Sequence, residues 1–170
     1  MLDILRSRRS IRCYKDWKIE PEKIEQLKEA ALRAPSSRGI NPWRFLFVTN
    51  KAMLQELSRA KESGSSFLKG ARLGVIVCAN ADESDVWIED CSIASIILQL
   101  TGQSLGLGSC WIQIRNRAHS SSISAEDYIK KVMHLPDNML VLSMISFGYP
   151  DEDKPPVPRE QLEYEKILYG

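Results

Sequence analysis

Arg8-Arg9-Ser10-Ile11-Arg12-Cys13-Tyr14 and, further on, Ala34-Pro35-Ser36-Ser37-Arg38-Gly39-Ile40-Asn41-Pro42-Trp43 are the two stretches on which the reading of this chain turns. The first sets three guanidinium groups and a hydroxyl within five residues of a chain whose net charge is only +1. A guanidinium makes two parallel, charge-assisted hydrogen bonds to an oxyanion and keeps its charge at any physiological pH, so such a cluster suits a phosphate. The second stretch follows a helical pattern. Pro35 stops that helix, because its ring disfavours a helical residue before it, and Ser36 and Ser37 begin a loop.

Working outward, Leu2 and Leu5 belong to a short helix that Asp3 helps to open, with the arginines at its end or just beyond. Glu20-Pro21-Glu22 starts a longer helix, proline near its first turn and acidic residues at the positive end of the dipole, and Ile24, Leu27 and Ala31 recur at helical spacing. Trp43 to Val48 reads as a strand with both faces largely covered. Asn50 caps a helix with Met53, Leu54 and Leu57 inward, and Gly64-Ser65-Ser66 breaks it. Leu73 to Ala79 is a second strand. Asp85 to Leu105 is the strongest helix; Cys91, Ile93, Ala94, Ile97, Leu98 and Thr101 spread over more than one side and predict a central, mostly buried element. Gly106 and Gly108 turn the chain into a strand from Ser109 to Ile114. Ser124-x-x-Asp127 caps a helix ending near His134, and Met139 to Phe147 is a further strand. Beyond Gly148, four prolines force an extended path, with a short helix or strand over 161–168.

Three or four strands among helices, without strict strand-helix-strand alternation or a Gly-x-Gly-x-x-Gly opening, argue for an α+β fold over a doubly wound nucleotide-binding one. The length and 44% apolar content fit one domain over 1–170 with a real core. Charges of both signs are interspersed, which speaks against nucleic acid as a partner; no apolar run approaches a membrane span and no leader pattern opens the chain, so a soluble, cytoplasmic protein is expected. Cys13, Cys78, Cys91 and Cys110 lack any Cys-x-x-Cys or Cys/His spacing and read as small buried hydrophobes in a reducing compartment, leaving no metal site.

The two opening stretches, the turn Gly106-Leu107-Gly108-Ser109-Cys110-Trp111 and the closing segment from Phe147-Gly148-Tyr149-Pro150 to Arg159 together resemble the nitroreductase family of flavoproteins over almost the whole chain. The chain departs from the family at Asn41, where Gln is usual, and at Gln113 and Ile114, where many relatives carry Gly. The resemblance implies an α+β fold with a mainly antiparallel central sheet flanked by helices. It implies an intertwined homodimer in which residues 148–170 wrap the partner, and FMN as cofactor with NADH or NADPH as electron donor.

It also implies a site. Arg8, Arg9, Ser10 and Arg159 surround the FMN phosphate. Arg12 stands beside the ring edge that gains negative charge, where a fixed cation raises the reduction potential. Pro35, Ser36, Ser37 and Asn41 come to the ring from the second subunit, and Trp111, Ile112 and Gln113 lie along it with backbone N–H groups toward N5 or O4. Hydride then passes from NAD(P)H through the flavin to a small organic acceptor such as a nitroaromatic or quinone. Water can protonate the product, so no catalytic side chain is assigned. A flavin-binding storage or sensor protein with little turnover is the alternative reading. A hydrolase built on His119 or His134 lacks any nucleophile motif. Trp43 is assigned to the core.

Overall fold

The computed structural model describes residues 1–170. Its centre is a four-stranded sheet in the order β1-β2-β4-β3, antiparallel throughout, formed by β1 (Trp43–Val48), β2 (Leu73–Asn80), β3 (Gly108–Gln113) and β4 (Met139–Gly148). Five helices surround it: α1 (Leu2–Ser7), α2 (Pro21–Leu32), α3 (Lys51–Leu57), α4 (Trp87–Ser104) and α5 (Ala125–Met133). The local signals do what they should. Pro21 occupies the first turn of α2, Asn50 Oδ1 accepts the Met53 N–H at 3.0 Å, and Ser124 Oγ accepts the Asp127 N–H at 3.0 Å.

Because side chains alternate across a strand, each face of the sheet collects its own core. Val75, Val77, Ile145 and Phe147 meet Leu27 and Ala31 of α2 and Cys91, Ala94 and Leu98 of α4. Ile76, Cys78, Ile112 and Met144 meet Leu54 and Leu57 of α3 and Ala125 and Ile129 of α5. Leu142 is an extra residue between the pairs Val77↔Ser143 and Cys78↔Val141. This bulge reverses the phase of β4, so Leu140 and Leu142 share a face with Ile145 and Phe147, which uninterrupted alternation would forbid. Trp43 lies in the core as assigned, at 6% exposure.

Three expectations change. The central helix α4 is not buried all round: Trp87, Cys91, Ala94 and Leu98 face the sheet, but Ile93 and Ile96 are 40% and 39% exposed on the opposite side. Apolar residues on more than one face therefore mean one face for the core and a second for something else. Cys78, Cys91 and Cys110 are buried, whereas Cys13 is exposed. Burial pushes the Cys78 thiol up to about 12, and burial together with the neighbouring Cys78 and Asp90 does the same for Cys91, so both are inert at physiological pH. The tail forms single 3₁₀ turns at Arg159–Gln161 and Tyr164–Lys166 in place of a closing helix or strand. No helix is long and apolar enough to cross a membrane.

Candidate functional site

Residues 8–15 cross the ends of β3 and β4. α1 stops at Arg8, whose N–H still reaches the Ile4 carbonyl while its backbone has turned extended. Ser10 then bridges Ser109, Ile11 donates its N–H to the Ser109 carbonyl at 2.9 Å, and Lys15 donates to the Tyr149 carbonyl at 2.9 Å. Two glycines allow this close approach. A Cβ on Gly108 would sit 2.8 Å from Ile11, and one on Gly148 would sit 2.8 Å from the Tyr14 ring. Tyr14 acts as the strut of the crossing: its hydroxyl donates to the Ile11 carbonyl and lies 2.6 Å from Ser146 Oγ. Burial raises its phenol well above the ordinary value, so it stays neutral.

The start of the tail runs back beside this segment. Asp151 donates its N–H to the Cys13 carbonyl at 3.0 Å, and the Glu152 carboxylate accepts the N–H groups of Arg12 and of Cys13, the latter at 3.1 Å. Lys154 Nζ donates to the Ser10 carbonyl at 2.8 Å and pairs with Glu152 at 3.0 Å; Arg9 donates to the Pro155 carbonyl. The Arg12 N–H bond, followed by Lys154, holds the Glu152 carboxyl below its usual range. A folded-state value below the unfolded one means that this anchor contributes above the ordinary carboxylate range and is lost as pH falls through the lowered value. Limited proteolysis of residues 151–170 should therefore accelerate in acid, and Glu152→Gln should show the same susceptibility at neutral pH. Equal cleavage of wild type and variant at neutral pH would dismiss the anchor.

The backbone N–H groups of Arg8 and Arg12 are tied down, and of the three guanidinium groups only that of Arg9 has a hydrogen-bond partner, the Pro155 carbonyl. Arg6, Arg33, Arg38, Arg44, Arg59 and Arg72 each hold a carboxylate. Arg8, Arg9 and Arg12 hold none; Arg12 lies over the Phe67 ring, 5.7 Å from its centroid. Beneath them is Cys110, 2% exposed. Burial raises its thiol, against the pull of the Arg12 cation and the Ser10 hydroxyl.

β3 is an edge strand, and its backbone adjoins the same place. Ser109 turns its carbonyl outward to Ile11, while Ile114 sends its N–H inward to the Leu142 carbonyl at 3.1 Å. The N–H and C=O groups of an antiparallel strand alternate between its two sides, so Trp111 and Gln113 point theirs outward, past the reach of residue 11, and Ile112 points its own into the ladder with β4. The Ile112 and Ile114 side chains are buried, 1% and 0% exposed, in the α3–α5 layer. Of the strand residues nominated from sequence, Trp111 and Gln113 thus offer free edge groups, and Ile112 offers neither amide nor side chain.

The second stretch forms a tight loop. Arg38, Gly39 and Asn41 all take positive φ, at 54°, 67° and 55°. Asn41 is a fitting residue there, because Asn tolerates the left-handed region far better than Gln. The Ser36 hydroxyl donates to Asn41 Oδ1 at 2.7 Å and accepts the Asn41 N–H at 2.8 Å, which leaves the amide nitrogen of the side chain free. Ser37 donates its N–H at 2.8 Å to Asp90, a buried carboxylate in the first turn of α4.

Asp90 also fixes where the loop is. It opens α4, while Gln103 in the last turn of the same helix donates to Ser7 Oγ at 3.3 Å. At 1.5 Å per residue the helix separates the two stretches by about 20 Å. Within one copy of the chain, Pro35, Ser36, Ser37 and Asn41 do not meet Arg8, Arg9, Ser10 and Arg12. Arg159 stands apart as well: its Nε reaches Tyr164 Oη at 3.3 Å within a tail that is exposed from Pro155 onward.

The family model described as the nitroreductase family matches residues 5–67 and 54–149. The chain belongs to the nitroreductase family. A solved FMN-dependent nitroreductase from Clostridium difficile R20291 is 44% identical, with a TM-score of 0.98 over 99% of this chain and 98% of that one. A protein of Archaeoglobus fulgidus with the provisional name NADH dehydrogenase/NAD(P)H nitroreductase is 34% identical over 157 residues, 90% of this chain and 87% of the relative. The FMN reductase (NADPH) of Bacillus subtilis is 23% identical over 96% of this chain and 72% of its own length. The α+β fold with a central antiparallel sheet is that of a nitroreductase.

Sequence reading did not place Cys110, Phe67, Glu152 and Lys154 beside the arginine segment. Cys110 reads as one of four small buried thiols, and Phe67 is assigned no role. For the tail pair a signal existed: a lone Glu-x-Lys between Pro150 and Pro155, where a strand-like extended path sets both side chains on one side of the chain.

Proposed function

We propose that this nitroreductase is a homodimeric FMN oxidoreductase that works in the cytoplasm, takes hydride from NADH or NADPH and delivers it to a small organic acceptor of the nitroaromatic or quinone type. The observation that carries the reading is the placing of the two polar stretches at opposite ends of α4, whose outer face exposes Ile93 and Ile96. Packing two copies of α4 antiparallel about a twofold axis covers that face. It also lays the Pro35–Asn41 loop of one copy beside the Arg8–Arg12 segment of the other. Leu2 and Leu5 of α1, 57% and 50% exposed, extend the apolar surface to be covered. In the tail, Val157, Leu162, Tyr164, Ile167 and Leu168 are all exposed in one copy, as expected of residues 148–170 if they wrap a partner.

The donor set fits the cofactor. Forked cations without carboxylate partners, Arg8 and Arg9 with the Ser10 hydroxyl beside them, suit a dianionic phosphate, and Arg159 can join them once the tail is folded against a second copy. The free edge amides of Trp111 and Gln113 suit the polar rim of a flat heterocycle, and the Asn41 side chain has a donor to spare. When bound, FMN supplies a ring that accepts hydride and carries additional negative charge once reduced. Arg12, fixed by its N–H bond to Glu152 and its packing on Phe67, offers a cation that favours the charged form over the neutral one. The chain's remaining task is to hold donor and acceptor in turn at the same place, and orientation supplies much of the rate.

Arg12→Ala should shift the flavin midpoint potential to more negative values while the melting temperature changes little. An unshifted potential would remove Arg12 from that role. Anaerobic stopped-flow mixing with NADH and with NADPH tests the activity itself: bleaching of the flavin absorbance is expected with one or both, and a flavin that stays oxidised would mark a storage or sensor protein.

A further inference from the structure

The free edge of β3 holds a feature that binding alone does not require. The Trp111 indole Nε1–H donates to Gln113 Oε1 at 3.0 Å, and Gln113 Nε2 donates to the Arg115 carbonyl at 2.9 Å. Both side chains are half-buried, and Trp111 packs against the α4-side core. Gln113 therefore satisfies one hydrogen bond in each direction along its own strand, joining residues 111, 113 and 115. The edge needs such a splint. Its outer groups have no strand neighbour past Ser109, where Ile11 ends its cover, and at Arg115 the chain leaves the sheet for the polar excursion of residues 115–123. An edge segment without a neighbour, followed by a loop, is free to twist, and the direction of its outward N–H groups twists with it.

We propose that Gln113 is a positioning residue: through Trp111 and the Arg115 carbonyl its side-chain amide holds the outward N–H groups of Trp111 and Gln113 in the direction that serves the flavin ring. The proposal rests on the flavin reading above. Donors aimed in advance at atoms that gain charge stabilise that charge without reorganisation, so their aim affects electron uptake more than it affects binding, which the phosphate cluster supplies separately. Gln113 also differs from glycine in kind here. A glycine at 113 would expose the same N–H but leave its direction unsupported, whereas this side chain fixes it. Ile114 takes no part, since its side chain lies in the opposite core.

The experiment compares wild type, Gln113→Met, which keeps the length and loses both bonds, Trp111→Phe, and the double variant, each reconstituted with FMN. Three readings are taken: the flavin midpoint potential, the rate of anaerobic reduction by NADH or NADPH, and hydrogen exchange at the amides of residues 111 and 113. In Gln113→Met, exchange should be faster and the potential more negative. Reduction should slow by on the order of ten- to a hundredfold, as expected for a small misplacement, with flavin content unchanged. Because one relay is cut at either end, the double variant should fall no further than the worse single one. Wild-type potential and reduction rate in Gln113→Met, or in Trp111→Phe if the former does not fold, would overturn the proposal. Additive losses in the double variant would overturn it too, by showing two independent roles. A colourless wild type that takes up no FMN is a different failure, recognisable at once, and defeats the flavin reading together with what rests on it.

Discussion

Arg8→Ala is expected to weaken FMN binding by roughly ten- to a hundredfold, the weight of a charge-assisted contact at about 1.5–3 kcal/mol, while leaving the protein folded and dimeric. The expectation follows from the local geometry. Arg8 stands at the joint where α1 gives way to the extended crossing segment, its backbone committed to Ile4 and its side chain without a carboxylate. On the function proposed above, a guanidinium in that state is available to the phosphate of the cofactor. Arg6, two residues earlier, is the natural control: it pairs with Asp3 at 3.0 Å on an exposed surface, where an ion pair contributes little, so Arg6→Ala should bind FMN as wild type does. Arg8→Lys should fall between, since a point charge replaces the fork. Fluorescence quenching of FMN by the stripped protein reads all three. Equal affinity for wild type and Arg8→Ala would take Arg8 out of the phosphate pocket.

Much of this architecture was legible in the sequence for local reasons. Pro21, Asn50 and Ser124 mark helix starts because each acts within a turn of its own position, and Pro35 marks a stop on the same principle. The strand Trp43–Val48 shows itself by composition. What escaped depends on residues far apart in the chain. The bulge at Leu142 follows from the register of β4 against β2, and no periodicity within β4 announces it. The reason for Gly108 and Gly148 is the approach of Ile11 and Tyr14, about a hundred and more residues away in sequence. Ile93 of α4, exposed beside Ile96, looked like core, because hydrophobicity signals burial without saying against what.

The site divides along the same line. Arg8, Arg9, Ser10 and Arg12 are contiguous and could be read as a unit. Whether Pro35 to Asn41 joins them is a question of distance, and one copy of the chain answers it with the length of α4. Asn41 is an instance of a substitution that sequence comparison flags and backbone geometry explains: the left-handed φ of 55° favours the shorter amide. Ile112 shows the converse. Adjacent to Trp111 and Gln113 in sequence, it is turned away from them by the two-residue period of the strand.

Removal of residues 151–170 should have the larger consequence, loss of both the dimer and the bound flavin from a protein whose body still folds. The sheet ends at Gly148, and the tail contributes no residue to either hydrophobic core, so the melting transition should remain cooperative. What the truncation removes is specific. Without Glu152 the N–H groups of Arg12 and Cys13 lose their acceptor; without Lys154 the Ser10 carbonyl loses its donor, and without the Pro155 carbonyl the Arg9 guanidinium loses its acceptor. The arginine segment would then be held only by Ile11 on Ser109, by Tyr14 and by Lys15, so its cations would sample many directions and the phosphate site would lose its preorganisation. Arg159 and the exposed apolar residues beyond it are lost at the same time, which on the proposed dimer would withdraw a cation from the site and apolar surface from the contact between copies. Both losses act on one equilibrium, because a site assembled from two chains ties cofactor affinity to protomer concentration. Light scattering and the ratio of flavin to protein absorbance, measured across a dilution series, should show full-length dimer retaining flavin to lower concentration than the truncated chain. A shorter variant ending at Lys154 separates the contributions: it keeps the Glu152 and Lys154 anchors, so it should retain the ordered arginine segment and part of the FMN affinity while losing the wrap. A chain truncated after Pro150 that stays a fully yellow dimer on dilution would show that the tail serves neither the pocket nor the partner.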